Sequence, residues 1–264
     1  MSWLLGYLAL GAVAGFFAGL LGVGGGAVMA PVLAMMFAAQ GFPEAWLMHL
    51  ALGTSMTVIV FTSVSSLRAH HQRQAVRWPI VAALAPGILL GAFGGARLTS
   101  VVSTQALAIF FTCFMAWVAF QLLVNVKPKP SRQLPGRVGM TAVGGGIGLI
   151  SALASIGGGT LSVPFMLWCN VRMHEAIGTS AAIGFPIALA GAAGYLLGGA
   201  GEEVLPSGSV GFVYLPALAS CVAMSVLTAP LGARAAHALP VPVLKRIFAV
   251  LILILLGRML YSIY

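Results

Sequence analysis

The sequence contains very few charged residues. Only 6% of its 264 residues are Asp, Glu, Lys or Arg, and the four acids are all glutamates. Soluble domains carry about 25% charged residues. A chain in which 60% of the residues are hydrophobic therefore lacks the polar side chains needed to cover a globule in water. This scarcity excludes a soluble protein and indicates that lipid surrounds much of the chain.

Cysteine and clustered metal ligands are also scarce. Cys113, Cys169 and Cys221 lie far apart within apolar segments, which is typical of small buried hydrophobic residues and excludes a disulfide framework. No group of His, Cys and carboxylate residues has the spacing of a metal site, so we expect neither a metal nor a cofactor. Gly-x-Ser-x-Gly does not occur, and no His or basic residue sits mid-span beside a serine. We therefore expect no enzymatic activity.

The net charge is +9, and the basic residues stand mainly between apolar segments. This placement is typical of cytoplasmic loops, which are enriched in Lys and Arg. No aromatic and basic motif accompanies the charge, so nucleic acid is excluded as a partner. The chemistry of the chain instead predicts membrane lipid as its surroundings.

Apolar segments of about 20 residues, the length that crosses a bilayer as a helix, recur along the chain. Two longer ones are Trp3–Ala39 and Val138–Cys169. Between the two halves lies a basic, proline-containing loop, Lys127–Arg137. The six segments of ordinary length are Ala45–Leu67, Trp78–Leu98, Thr104–Val126, Met173–Gly199, Val210–Leu231 and Val243–Ile263.

The basic loops predict how the long segments cross the membrane. Arg68, Arg73 and Arg77 mark one loop as cytoplasmic, and Lys127–Arg137 marks another. If Val138–Cys169 crossed once, a later basic cluster (Arg234, Lys245 and Arg246) would lie outside. An even number of crossings, as a hairpin or a re-entrant pair, returns that cluster to the cytoplasm. A single crossing by the first helix of each half is the alternative, and it would make the halves parallel.

The chain repeats itself in order. The triplet Gly24-Gly25-Gly26 is followed by Pro31. The same pattern recurs as Gly157-Gly158-Gly159 followed by Pro164. The sequences His-x-x-x-Gly-Thr-Ser and Gly-Ala-Arg also occur twice, in the same order in each half. Repeats in a fixed order indicate an internal duplication. We predict an all-α polytopic membrane protein of two inverted repeats, residues 1–126 and 138–264, joined by the connector 127–137. Each repeat would hold a glycine-broken hairpin or re-entrant segment and three transmembrane helices.

The repeated triplets are the candidate site. Consecutive glycines and a nearby proline disfavour a continuous helix, and a break inside lipid must face protein or a polar cavity. The helix that begins after the break would present free amide groups to an anion. Close helix packing is the alternative, and it is favoured for Gly11, Gly15, Gly19, Gly87, Gly91 and Gly95, which are spaced four apart.

Two further groups of residues complete the prediction. Hydroxyl groups of the Gly-Thr-Ser copies could bind substrate oxygens or only helix carbonyls. The duplicated His and Arg residues could gate or steer an anion, or could be structural residues at the membrane surface. The candidate binding residues are Gly24, Gly25, Gly26, Thr54, Ser55, Gly157, Gly158, Gly159, Thr160, Thr179 and Ser180, and the candidate gating residues are His49, His174, Arg97 and Arg234.

The glycine motifs resemble those of a known family. The run from Gly15 to Gly26 followed by Pro31 resembles the opening motif of the TauE/SafE sulfite-exporter family, and Ser155 to Pro164 with the second Gly-Thr-Ser resembles its repeated partner. The resemblance covers essentially the whole chain. It implies a multi-pass protein of the bacterial inner membrane that transports sulfur-containing anions.

The function that we predict is secondary transport of a small anion, sulfite or an organosulfonate, by alternating access at a midplane site. An inside-negative potential expels anions, which favours export. A passive anion channel and an importer coupled to protons or sodium are the alternatives, and a membrane enzyme or structural subunit is a third. The expected partners are the anionic substrate, lipid and a second copy in a homodimer.

Overall fold

A computed structural model of the chain describes residues 2–21, 25–124, 131–238 and 241–263. These residues form helices and one two-stranded antiparallel hairpin, β1 (Ser209–Val210) and β2 (Val213–Tyr214). The helices are α1 (Ser2–Leu21), α2 (Gly26–Ala39), α3 (Leu47–Gln72), α4 (Trp78–Thr99), α5 (Thr104–Val124), α6 (Arg137–Leu153), α7 (Gly159–Trp168), α8 (Met173–Gly198), α9 (Leu215–Ala238) and α10 (Val241–Ile263).

Six of these helices are long and apolar enough to cross a membrane, namely α1, α3, α4, α5, α8 and α9. The all-α polytopic class predicted from the sequence is therefore confirmed. Two boundaries were wrong. α3 continues past Leu67 to Gln72, because His70 is buried and extends the packed face. α9 begins at Leu215 rather than Val210, because the β-hairpin occupies the preceding residues.

Both long apolar segments fold as two helices rather than one. α1 ends at Leu21 and α2 begins at Gly26, while α6 ends at Leu153 and α7 begins at Gly159. With 14 and 10 residues, α2 and α7 measure about 21 and 15 Å at 1.5 Å per residue, shorter than a hydrocarbon core of about 30 Å. Pro31 and Pro164, expected to be weak points, lie inside α2 and α7, and both helices continue through them.

The two halves pack against each other reciprocally. α1 of the first half packs along α9 of the second, and α6 of the second packs along α4 of the first. Glycines make both contacts close: a Cβ at Gly11 would meet the backbone of Cys221, and a Cβ at Gly91 would meet that of Gly145. The small-residue spacing thus serves helix packing at these glycines.

α3 and α8 form the centre of the molecule. A Cβ at Gly53 would lie 3.1 Å from the Cβ of Tyr195, and a Cβ at Gly191 would lie 3.0 Å from the Cγ of Met56. Because residue numbers rise along α3 as they fall along α8, the two helices run antiparallel. Most of each helix is buried, so their facing sides are surrounded by protein and not by lipid.

Candidate functional site

Each broken segment turns through a left-handed glycine. Gly25 has φ 74° and Gly158 has φ 77°, and each directly precedes the first residue of a helix. Only glycine adopts this conformation at little cost. The first amide groups of a helix have no partner within it, and no side chain caps α2 or α7 among the described residues. Both breaks therefore present helix amide groups at their N-terminal ends.

The first break touches the second. Gly26, the first residue of α2, packs so closely on the carbonyl oxygen of Ser155 that a Cβ there would overlap it. The Ser155 hydroxyl in turn donates a hydrogen bond of 3.0 Å to the carbonyl oxygen of Leu52 on α3. The chain before α7 is thus held between α2 and α3 of the other half, deep in the buried centre.

The triplet residues that are described all lie in this buried region. Gly24 lies outside the described residues, whereas Gly25, Gly26 and the segment 157–160 are buried. The hydroxyl of Thr160, in the first turn of α7, has no hydrogen-bond partner among the described residues. A buried hydroxyl without a partner loses free energy relative to water, so this group is available to bind a ligand.

The two Gly-Thr-Ser copies divide into two kinds of hydroxyl. Thr54 accepts a hydrogen bond of 2.9 Å from the amide of Tyr214, and Thr179 accepts one of 3.0 Å from the amide of Arg77. Each threonine thereby holds the segment that precedes a helix of the opposite half. Ser55 and Ser180 are at most 1% exposed, and their hydroxyls have no partner in the described part of the chain.

The duplicated histidines occupy different surroundings. His49 is buried, and its Nε2 lies 2.9 Å from the carbonyl oxygen of Thr99 and 3.0 Å from that of Val102. With Nε2 protonated, the ring donates to both carbonyls and closes the end of α4. His174 is exposed at the start of α8. Only His49 has the buried contacts of a structural residue.

The duplicated arginines lie at the surface. Arg97 is exposed and donates from Nη1 to the carbonyl oxygen of Leu197, at 2.7 Å, which ties the end of α4 to the end of α8. Arg234 is exposed on α9. The Arg97 contact lies at the ends of α4 and α8 and not at the breaks. A role in steering anions stays a prediction for both arginines.

Comparison with known proteins now adds to this geometry. The model of the family described as sulfite exporter TauE/SafE matches residues 7–259, which is nearly the whole chain. The chain belongs to the TauE/SafE family. It is a membrane transporter, and the family assignment agrees with the expectation that it is not an enzyme. No solved structure matches it.

Relatives of this TauE/SafE protein carry the same general description. It is 35% identical over 255 residues to a probable membrane transporter protein of Haemophilus influenzae, covering 96% of each chain. It is 25% identical over 210 residues to the probable membrane transporter protein YunE of Bacillus subtilis, covering 72% of this chain and 77% of the relative. A probable membrane transporter protein of Xylella fastidiosa is 32% identical over 177 residues, 64% of this chain and 65% of its own.

The structure of this TauE/SafE protein adds polar residues that the sequence-based site omitted. A small cavity of about 10 Å³ lies beside the second break, where Thr62, Ser63 and Ser66 of α3 face Gly157 and Gly184. This volume holds about one water molecule. A signal was present in the sequence, because Ser55, Thr62 and Ser66 recur at helical spacing along one face of α3.

The opposite end of α3 is closed by aromatic rings. The Phe212 ring lies 5.2 Å from the ring of Trp46 and 4.9 Å from that of His49. Tyr214 packs edge-on against Phe42, with ring centroids 5.0 Å apart. The breaks therefore lie between an aromatic seal at one end of α3 and a hydroxyl-lined cavity toward the other.

Proposed function

We propose that this transporter carries a small sulfur-containing anion, sulfite or an organosulfonate, and binds it between the two breaks. The observation that carries the proposal is the presence of two uncapped helix starts and of buried hydroxyls that have no hydrogen-bond partner among the described residues. Ser55, Ser180 and Thr160 supply these hydroxyls, and α2 and α7 supply the amide groups. All of these groups can donate hydrogen bonds to oxyanion oxygens.

The helix starts at the breaks favour an anion. The positive dipole ends of α2 and α7 point toward the breaks, although α1 and α6 bring their negative ends to the same breaks. The four glutamates, at positions 44, 175, 202 and 203, lie outside α2 and α7 and away from the triplets in sequence. A sulfonate or sulfite group presents three oxygens, which matches a site built from several separate donors rather than from one strong cation.

Inverted repeats are part of the proposal. α3 and α8 correspond through their Gly-Thr-Ser sequences, and they run antiparallel. The hydrogen bonds of Thr54 and Thr179 are likewise reciprocal between the halves. Two-fold related halves around a central site are the architecture that supports alternating access in many secondary transporters.

Alternating access fits the surroundings of the breaks better than an open channel. One end of α3 is sealed by aromatic rings, and the cavity toward the other end holds about one water-sized molecule. A conducting pore needs a continuous path through both ends. Export is the proposed direction, because a membrane potential of 100 mV, negative inside, favours outward movement of each negative charge by about 2.3 kcal/mol.

Reconstitution tests the proposal directly. Purified protein in liposomes loaded with labelled sulfoacetate should release it in a saturable manner and should show counterflow when unlabelled sulfoacetate is outside. Sulfite, thiosulfate and sulfate as competitors would define the anion. The variant Ser55→Ala should weaken transport, whereas Ser65→Ala, on the same helix but only half-buried, should not. Absence of saturation and counterflow would contradict a transporter mechanism, and absence of any anion flux would contradict the function.

We also propose a location in the bacterial inner membrane, on the family assignment. A homodimer stays a prediction. Size-exclusion chromatography of the detergent-solubilised protein with light scattering would measure its oligomeric mass. A monomeric mass would remove the second copy from the list of partners.

A further inference from the structure

We infer that the hydroxyl cavity beside the second break is a second station for the anion, on the path between the central site and one membrane surface. The cavity is lined by Thr62, Ser63 and Ser66 of α3, with Gly157 and Gly184 opposite. The inference rests on the proposed anion transport. It goes beyond the site at the breaks by naming the residues through which the anion reaches that site.

Ser66 is the strongest local observation. Its residue is 7% exposed, and its hydroxyl has no hydrogen-bond partner in the described chain. Thr62 and Ser63 instead donate to carbonyls of their own helix, at 3.2 Å to Ile59 and 2.9 Å to Val60. The Ser66 hydroxyl does not bond to the carbonyls of its own helix, and it lines a cavity. It is therefore placed to donate a hydrogen bond to a ligand.

The second half of α8 shows that packing alone does not require these hydroxyls. The two histidines are 125 residues apart (174 minus 49), and this offset also relates the Gly-Thr-Ser copies. It matches Thr62, Ser63 and Ser66 with residues that carry no hydroxyl, namely Ile187, Ala188 and Gly191. Both helices are buried at the centre, yet only α3 is polar over this stretch.

Charge at the ends of the two helices follows the same asymmetry. Arg68 and Arg73 are exposed where α3 ends. Among the described residues, Glu175 is the only glutamate near this end, and it forms an ion pair of 3.2 Å with Arg77. Beyond the end of α8 stand Glu202 and Glu203, both exposed. A basic mouth raises the local concentration of anions. The positive-inside rule places that mouth in the cytoplasm, so the cavity would load substrate for export.

The cavity must widen for an anion to pass. Its volume of about 10 Å³ suits one water molecule, and a sulfonate group is larger. Ala18 of α1 and Ala181 of α8 form its remaining walls with Ile59. Movement of α1 or α8 away from α3 would therefore connect Ser66 to the basic mouth, and the hydroxyls would then be reached from that side only.

Cysteine accessibility tests the inference with a matched pair from the two repeats. In a background whose native cysteines are replaced by alanine, the variants Ser63→Cys and Ser66→Cys are compared with Ala188→Cys. Inside-out vesicles are treated with a membrane-impermeant, negatively charged maleimide, with and without sulfoacetate. Sulfoacetate is used because sulfite itself adds to maleimides.

Ser63→Cys and Ser66→Cys should be modified from the cytoplasmic face, and sulfoacetate at about ten times its dissociation constant should slow the reaction about tenfold by simple occupancy. Ala188→Cys should stay unmodified. Equal modification of positions 63 and 188, no reaction at 63 and 66, or reaction without protection would each overturn the inference.

A second variant covers the case in which a cysteine impairs folding. Ser66→Ala removes a hydroxyl without a partner, so the protein should fold normally, and transport of sulfoacetate should fall severalfold while Ser65→Ala leaves it unchanged. Equal transport by the two variants would refute the station. If the parent protein transports sulfoacetate and Ser55→Ala weakens it while position 66 is inert, the inference alone fails. If the parent protein moves no anion, the proposed function fails.

Discussion

The two central helices begin with the same residues and end with different ones. α3 and α8 both carry Gly-Thr-Ser near their N-terminal ends, and both threonines hold the backbone of the opposite half. Further along, α3 has Thr62 and Ser66 where α8 has Ile187 and Gly191. The repeated threonines therefore join the halves, and the residues that are not repeated give α3 a polar stretch that α8 lacks.

The two histidines at corresponding positions also differ in their surroundings. His49 is buried and bonded to two carbonyls, while His174 is exposed. The residue type recurs but its surroundings do not, because only His49 packs against the end of α4. Experiments that compare corresponding positions can thus separate what the fold requires from what transport requires.

The largest effect is expected where the halves touch. Gly26→Ala places a Cβ on the carbonyl oxygen of Ser155, and backbone cannot move aside as a side chain can. Overpacking of this kind costs about 1–3 kcal/mol or more, so we expect a marked loss of folded protein and of transport. Thermal unfolding in detergent would measure it. Gly146→Ala is the control, because a Cβ there meets nothing within 4 Å, and equal stability of the two variants would contradict the close contact.

The left-handed glycines should respond unequally. Alanine at either position costs about 1–2 kcal/mol for its backbone conformation. A Cβ at Gly25 also lies 2.6 Å from the Ala14 carbonyl oxygen, whereas a Cβ at Gly158 lies 2.5 Å from the tip of Ile187, which can rotate. Gly25→Ala should therefore destabilise more than Gly158→Ala, as measured by unfolding temperature. Ile187→Val should partly restore Gly158→Ala, and a failure of both expectations would show that the breaks are looser than described.

Hydroxyls one residue apart should separate stability from binding. Thr54→Val or Thr179→Val leaves the amide of Tyr214 or Arg77 without its acceptor, at a cost of about 1–3 kcal/mol in unfolding free energy. Ser55→Ala or Ser180→Ala removes no hydrogen bond within the described residues, so stability should hold while the anion dissociation constant rises about tenfold, or about 1.4 kcal/mol. Unfolding curves and labelled-sulfoacetate binding distinguish the two classes. Unchanged binding in both serine variants would remove these hydroxyls from the site.

The smallest effect is expected at an ion pair between the two halves. Arg77 and Glu175 form an ion pair of 3.2 Å near the start of α8, and the Arg77 side chain is 52% exposed. Exposed pairs contribute about 0.2–1 kcal/mol and are screened by salt. Glu175→Gln should lower the unfolding temperature slightly at low salt and not at all at high salt. A large, salt-independent loss would contradict a pair that solvent screens.

The sequence named candidate site residues because they are repeated. The triplets, Ser55 and Ser180 were chosen on that ground, and helices do begin at Gly26 and Gly159, while binding at these residues stays a prediction. Thr62, Ser63 and Ser66 were omitted because they have no counterpart, and an unrepeated hydroxyl in an apolar helix resembles an ordinary residue bonded to its own backbone. The extension of α3 to Gln72 was missed because polar residues there suggested a loop.

The amino-acid sequence by itself determined that this chain is a membrane protein, that several motifs recur in the same order and where two apolar segments break. Those properties follow from composition, from periodic repetition and from the intrinsic reluctance of glycine to continue a helix. Only the tertiary structure decided which hydroxyls form hydrogen bonds within the described residues and which do not. Threonine and serine have the same donor and acceptor chemistry. Thr54 differs from Ser55 because packing of the opposite half brings the amide of Tyr214 to Thr54, whereas no group in the described residues bonds to Ser55.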